Sequence, residues 1–405
     1  MFAAQSLARG AFLACGTVSA LVAIQLSGNA AWVGVPAAVL QLAGAFAAVA
    51  VGATTERIGR RRGLALGLEV GALGMGVAAG AIVADTLLLF LGGLVLMGVA
   101  SAAMLLGRFA VAEVYPSERR GRAISNVVIG GAIGSVVGPL IVGPSGRWAH
   151  SAGVNQLAGP YMAAMIILAV AGLVILIWLR PDPRDVGRKM AEKHPEPAAH
   201  LGPARSIYQI LRTPAALVAV LAMALSQMVM VMVMVIVSPY MIMLQHDLTD
   251  ISVVISAHTF GMFAFSFASG RLTDRWGRGR VILTGAGMLV AACVLAPLSQ
   301  GVLALSASLF LLGLGWNFCY VGGSTLLSDQ LSAAERAKTQ GANDLLIGVA
   351  TGAASLGSGL IFAFAGFTVM AIVGALISLV PLGLTGWWMA SRRRAATAWL
   401  WSHVD

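Results

Sequence analysis

Apolar runs of about 20 residues alternate with short polar connections along the whole chain. They fall at about 7–28, 33–54, 63–83, 87–112, 123–143 and 159–179, then at about 213–240, 251–270, 281–297, 302–326, 340–364 and 368–390. At about 1.5 Å per residue, a helix of that length crosses a hydrocarbon core of about 30 Å. Strands of a membrane barrel would alternate apolar and polar positions, whereas Ala164 to Leu179 and Ala215 to Leu225 are apolar all round. The pattern predicts an all-α membrane protein with twelve transmembrane helices.

Composition narrows this further. Of the 405 residues, 59% are hydrophobic and only 10% charged, against about 25% charged in soluble domains, so an ordinary soluble enzyme is excluded. The formal charge of +10 raises the question of nucleic acid, which the placement of the arginines answers. Arg57 with Arg60 to Arg62, Arg119 to Arg122, Arg180 to Arg212, Arg271 to Arg280, Arg336 with Lys338, and Arg392 to Arg394 occupy alternate connections. The opposite connections, near Asn29, Asp85, 144–158, His246 to Asp250, Ser299 and Gly366, hold one basic residue, Arg147. The positive-inside rule then puts the basic connections and both termini in the cytoplasm, and the charge reports topology, with no nucleic-acid partner. Arg9 precedes a long apolar run without a small-residue cleavage site, so that run reads as a retained spanning helix. Cys15, Cys293 and Cys319 lie inside predicted helices and read as small packing residues.

The proline-rich stretch from Arg180 to Arg212 reads as a flexible cytoplasmic linker with room for one interfacial turn. It divides the chain into an N-terminal six-helix bundle (1–180), the linker (181–212) and a C-terminal bundle (213–405). The halves repeat each other. Gly52-Ala-Thr-Thr-Glu56-Arg57-Ile-Gly59-Arg60-Arg61 recurs as Gly270-Arg-Leu-Thr-Asp274-Arg275-Trp-Gly277-Arg278-Gly279, and Glu113 is echoed at nearly the same offset by Asp329. Repeated halves in transporters place the substrate site between them, near the bilayer midplane.

This doubled Gly-x-x-x-Asp/Glu-Arg-x-Gly-Arg-Arg/Lys pattern resembles the signature of the major facilitator superfamily over nearly the whole chain. The resemblance implies two pseudo-symmetric halves that rock about a central cavity. It also implies that Arg57, Arg60 or Arg61 engages Glu113, and Arg275 or Arg278 engages Asp329, latching the cytoplasmic side in the outward-open state. A purely topogenic basic loop is the other reading. The glycines Gly52 and Gly270 are expected to let a neighbouring helix approach. In the fifth helix, Gly134, Gly138, Pro139 and Gly143 are similar to the antiporter motif of proton-driven drug exporters, with Val142 departing from it. The arginine of that subfamily's proton-coupling motif would stand at 94, where this chain has Leu94.

Unless transport is uncoupled, the proton carrier must then be another group. Glu69 in the third helix, Arg108 in the fourth, His258 in the eighth and Asp344 in the eleventh are the ionisable groups inside the spans, where charges are costly and functional by default. Glu69, His258 and Asp344 are the coupling candidates, and Glu69 and Asp344, about one to two turns from their cytoplasmic ends, also read as hydrated gate residues. Of these, His258 lies nearest mid-membrane depth and serves either as proton carrier or as a core residue. Gln25, Gln41, Gln227, Trp316 and Asn317, with His258, are the larger polar or aromatic side chains at middle depths and so are cavity candidates. Met228, Met230, Met232 and Met234 alternate with valine in the seventh helix. A period of two scatters their sulfurs around a helix, which favours lipid-facing filler or a deformable wall over a metal path. No phosphate-cradling loop occurs, so ATP is not the power source. The reading is a monomeric inner-membrane secondary transporter, without cofactor or metal, for a small-molecule substrate. Export of small amphipathic or apolar compounds leads, with protons as the candidate exchange partner. Uptake or facilitated transport of a small metabolite, or a receptor or scaffold on a transporter fold, are the alternatives.

Overall fold

A computed structural model describes residues 1–115, 117–193, 205–298 and 300–401; the side chains of Arg108 and Glu113 lie outside what it describes. The described residues are helical almost throughout, with no strand among them. Among the described residues, eleven helical stretches are long and apolar enough to cross a membrane. The last of these, Lys338–Arg392, counts as two spans, because Gly366 (φ 79°, ψ −179°) breaks it.

The first half comprises α1 (Phe2–Ser27), α2 (Val35–Ile58), α3 (Arg60–Val83), α4 (Leu87–Glu113), α5 (Ser117–Val137), α6 (Val142–Ser151) and α7 (Ala158–Trp178). After α8 (Pro183–Lys193) and the short α9 (Ile207–Leu211) come α10 (Pro214–Met243), α11 (Leu248–Phe263), α12 (Ser266–Trp276), α13 (Arg278–Leu295), α14 (Val302–Ser328) and α15 (Ala333–Trp401). Three expectations are corrected. The segment after Arg180 is not all linker: Pro183 opens an 11-residue helix with Asp185 in its first turn, both favourable at a helix start. The fifth span does not stop at 143. Gly138-Pro139 converts it to a 3₁₀ turn, after which α6 runs on to Ser151, because a proline removes one helical bond without preventing a restart. The eighth span is two helices, broken between Phe263 and Ser266.

Contacts gather the chain into two compact units: Met1–Ala199 with Val235–Thr259, and His200–Met234 with Phe260–Asp405. In the first, α1 packs on α5 and α7, α3 on α4 and α7, and α2 on α4. Apolar area gives little drive between helices in lipid, so close approach of small residues does the work. Gly130 and Gly134 on α5, and Gly138 at the 3₁₀ turn that follows it, meet the backbone of Phe2, Ser6 and Gly10 on α1. Gly143 meets Thr249, whose hydroxyl accepts a 2.7 Å bond from Arg147 Nη1. In the second unit α13 packs on α14 and α15, and the backbones of Gly285 and Gly315 touch. Of the four alternating methionines, Met230 and Met232 are buried in packing, which corrects the lipid-facing reading for those two, while Met228 and Met234 are half-buried; nearby, Met223 and Met241 are buried and Met243 is exposed. Cys15, Cys293 and Cys319 are free thiols, at most 1% exposed.

Candidate functional site

The two copies of the basic motif fold alike. Gly59 (φ 94°) and Gly277 (φ 88°) join consecutive helices with no intervening loop, a backbone region that other residues enter only with strain. Arg60 Nη1 donates to Thr55 Oγ1 at 2.9 Å, and its counterpart Arg278 Nη1 donates to the Thr273 carbonyl at 3.4 Å. Arg278 Nε also donates to Asp329 Oδ2 at 2.8 Å, with Asp274 Oδ1 3.7 Å from its Nη1. Both partners of the Arg278–Asp329 pair are partly solvated, so its contribution to stability is about 1 kcal/mol or less. Glu56, Arg57 and Arg275 are exposed and Arg61 is half-buried. A Cβ at Gly52 or Gly270 would meet nothing within 4 Å, so among the described residues these glycines do not serve a close helix approach.

Two clasps are absent from the motif reading, one at the Gly59 junction and one between the segment before α9 and the start of α15. Asp182 Oδ1 and Oδ2 accept from the backbone N–H groups of Arg60 (3.1 Å) and Arg61 (3.0 Å), the first two of α3. The carboxylate thereby caps a helix N-terminus, where orphan donors and the dipole favour negative charge. Arg184 Nη1 donates to the Glu56 carbonyl at 2.6 Å, closing the end of α2. In the second unit Glu335, 4% exposed, receives Arg205 Nε (2.8 Å), Arg205 Nη2 (2.9 Å), and the backbone N–H groups of Arg205 and Ser332 (3.0 Å each). The Arg205 side-chain bonds, then the Ser332 and Arg205 amides, hold the Glu335 carboxyl well below the usual carboxylate range, and raise the Arg205 guanidinium in return. Sequence signals existed: Asp182 stands between prolines, and Ser332-Ala-Ala-Glu335 is a capping-box pattern.

Because the folded-state pKa of Glu335 is depressed, the clasp contributes stability above the unfolded carboxylate value near 4.3. That contribution is lost only as pH falls through the lower folded value. Hydrogen exchange at the Ile210 and Leu211 amides should therefore stay flat from about pH 5 to 8 after correction for intrinsic rates, and speed up severalfold in Glu335→Gln. Equal protection in the variant and the parent would dismiss the clasp as an anchor of α9.

The cavity candidates separate. Between α1, α2 and α4 lies a cavity of about 340 Å³ lined by Gln5, Arg9, Phe12, Gln41, Ser101 and Met104, among others. Gln41 belongs to it. Gln25 stands instead in the last turn of α1, not at middle depth, where its Oε1 accepts from Asn155 Nδ2 at 3.1 Å. In the second unit Trp316 Nε1 donates to Gln227 Oε1 at 2.7 Å and stacks on Tyr320, with Phe263 edge-on. Asn317 is buried, and its Nδ2 donates to the Met262 carbonyl (2.7 Å) and Ser266 Oγ (3.0 Å) across the α11–α12 break. His258 is fully buried in α11. Glu69 faces Gly172 on α7, where any side chain would meet its carboxylate. Asp344 is exposed, and Leu94 is packed inside. Arg9 is the lining residue that charge counting overlooked; its position seven residues into α1 was the available signal.

The Major Facilitator Superfamily profile matches residues 1–249 and 219–398. The chain belongs to the major facilitator superfamily. It is 35% identical over 384 residues to the uncharacterized MFS-type transporter YdeG of Bacillus subtilis, covering 93% of this chain and 88% of that one. It is also 27% identical over 369 residues to the riboflavin transporter RfnT of Brucella anthropi, covering 91% and 89%. Among solved structures, a bacterial homolog of the human lysosomal transporter Spinster, inward-facing and occupied, superposes with a TM-score of 0.73 at 14% identity, covering 96% and 95%. This superfamily member is therefore a multi-pass membrane transporter for a small-molecule substrate, and not an enzyme.

Proposed function

We propose that this transporter carries small amphipathic organic compounds across a bacterial-type inner membrane as a monomer with cytoplasmic termini, by alternating access of its two six-helix halves. One observation carries the reading: the cavity between α1, α2 and α4 sets Gln5, Arg9, Gln41 and Ser101 beside Phe12, Met104 and Leu105. That mixture suits a ligand with one polar end and an apolar body. In this proposal Arg57, Arg60 or Arg61 engages Glu113, whose side chain lies outside the described residues, and Arg278 engages Asp329 to form the cytoplasmic latch. His258, Asp344 and Glu69 are the coupling candidates.

Export in exchange for protons is supported by the Gly138-Pro139 interruption of the fifth span. Uptake is the second reading, favoured by the near full-length likeness to a protein named as a riboflavin transporter.

Flux of a compound panel into proteoliposomes, under imposed pH gradients, tests both. Antiport should concentrate substrate in vesicles that are acid inside, as protons leave, and symport in vesicles that are acid outside. Equal downhill rates under either gradient would mean uncoupled passage. No vectorial flux for any compound would leave a receptor or scaffold and overturn the proposal.

A further inference from the structure

We propose that the second unit binds the headgroup of an anionic phospholipid, in the cavity enclosed by the α12–α13 junction, the end of α14 and the α15 segment around Trp388. The inference is independent of where the transported compound binds.

This cavity measures about 580 Å³ and is lined by Trp276, Arg278, Arg280, Asp329, Trp388 and Arg392, among others. Trp276, Arg278, Ser328 and Arg392 are terminal residues of four spanning stretches, so the cavity lies at the membrane–water boundary, level with lipid headgroups. Three guanidiniums stand there against one carboxylate, and that carboxylate is already engaged, since Asp329 Oδ2 accepts from Arg278 Nε at 2.8 Å. Arg280 and Arg392 are exposed and have no acidic partner among the described residues. Arg392 lies over the Trp388 ring instead, 5.4 Å from its centroid.

The internal repeat supplies an independent comparison. In the first unit the backbone N–H groups of Arg60 and Arg61 hold the Asp182 carboxylate. Their counterparts Arg278 and Gly279 follow a glycine of nearly the same backbone angles, yet their N–H groups meet no acceptor among the described residues, and no side chain caps the helix. Residues that bind an anion in one half thus line an open cavity in the other. Gly279 keeps that cavity's wall close: a Cβ there would lie 3.1 Å from Trp388 Cζ3 and 2.7 Å from Met389 Sδ. Guanidiniums and free amides suit a phosphate. The apolar part of the lining identifies a lipid as its bearer. Trp276 is 50% exposed beside the buried Trp388 and Leu326, tryptophan is favoured at the headgroup level, and basic pockets between helices at this level take anionic headgroups. The ammonium of a zwitterionic headgroup would meet like charge from Arg280 and Arg392.

Native mass spectrometry of the purified full chain in neutral detergent tests this, reading the first bound lipid during titration with palmitoyl-oleoyl-phosphatidylglycerol or the phosphatidylcholine of the same acyl chains. The glycerol lipid should bind about tenfold tighter, the increment of one charge-assisted pair. Arg280→Gln combined with Arg392→Gln should lower it to the level of the choline lipid. Arg62→Gln combined with Arg188→Gln removes the same charge from exposed positions of the first unit and should leave the preference intact. Equal binding of the two lipids to the unmodified chain would overturn the proposal without any variant, so a poorly folded one does not shield it. A preference that survives the Arg280 and Arg392 replacements, or falls as far in the Arg62 and Arg188 control, would belong to the diffuse charge of the basic connections and overturn the site. Displacement of the bound phosphatidylglycerol by millimolar inorganic phosphate would overturn the lipid source in favour of a soluble phosphate.

Discussion

A Gly134→Leu variant should lose roughly 3 kcal/mol or more of stability, the upper end of overpacking effects, and melt at a clearly lower temperature in detergent. A Cβ at 134 runs into the carbonyl and Cα of Ser6, and one at 138 into Gly10. The obstacle in each case is main chain, which cannot rotate aside as a side-chain tip can. The α1–α5 seam would have to open along its length, since Gly130, Gly134 and Gly138 share one face. Gly52→Ala is the control. Its Cβ meets nothing within 4 Å, and alanine gains up to about 1 kcal/mol over glycine in a helix interior, so its melting temperature should hold or rise. Gly134→Leu melting with the parent would show that the two backbones are not in contact.

The second large effect is expected at Asn317→Leu. The side-chain volume is nearly kept, yet the amide that bridges the α11–α12 break is gone. Inside a bilayer no water replaces it, and an unsatisfied Met262 carbonyl should cost about 1–3 kcal/mol. Thermal unfolding should report that loss, and hydrogen exchange should rise selectively at residues 263–266. Exchange unchanged there, with stability unchanged, would reduce Asn317 to an ordinary packing residue.

The spans were legible because a 20-residue average of hydropathy is a strong signal, insensitive to any one position. What such an average cannot see is a break flanked by apolar residues on both sides. Phe263, Ala264 and Phe265 carry no proline, and the partner that makes the interruption tolerable, Asn317, lies on α14. The opposite error occurred at residues 144–151. There Arg147, Trp148 and His150 suggested a connection, although the helix restarts after Pro139 and continues through them. In the motif loops, internal repetition pointed to Arg278 and Asp329, which are bonded. Asp182 and Glu335 escaped because their partners are distant in sequence: Asp182 meets Arg60, and Glu335 meets Arg205. Arg9 was misread for a different reason. One charge near a terminus looks the same whether it marks topology or lines a cavity, and only the neighbouring Gly131, Gln41 and Ser101 distinguish the two.

The burial of all three thiols bears on how the transporter can be observed at work. Water-soluble maleimides reach only thiols that solvent reaches, and Cys15, Cys293 and Cys319 are enclosed by packed helices. Spin labels or fluorophores can accordingly be attached to a cysteine introduced at Gln41 or Asp344, both exposed, against the natural background, without first building a cysteine-free chain.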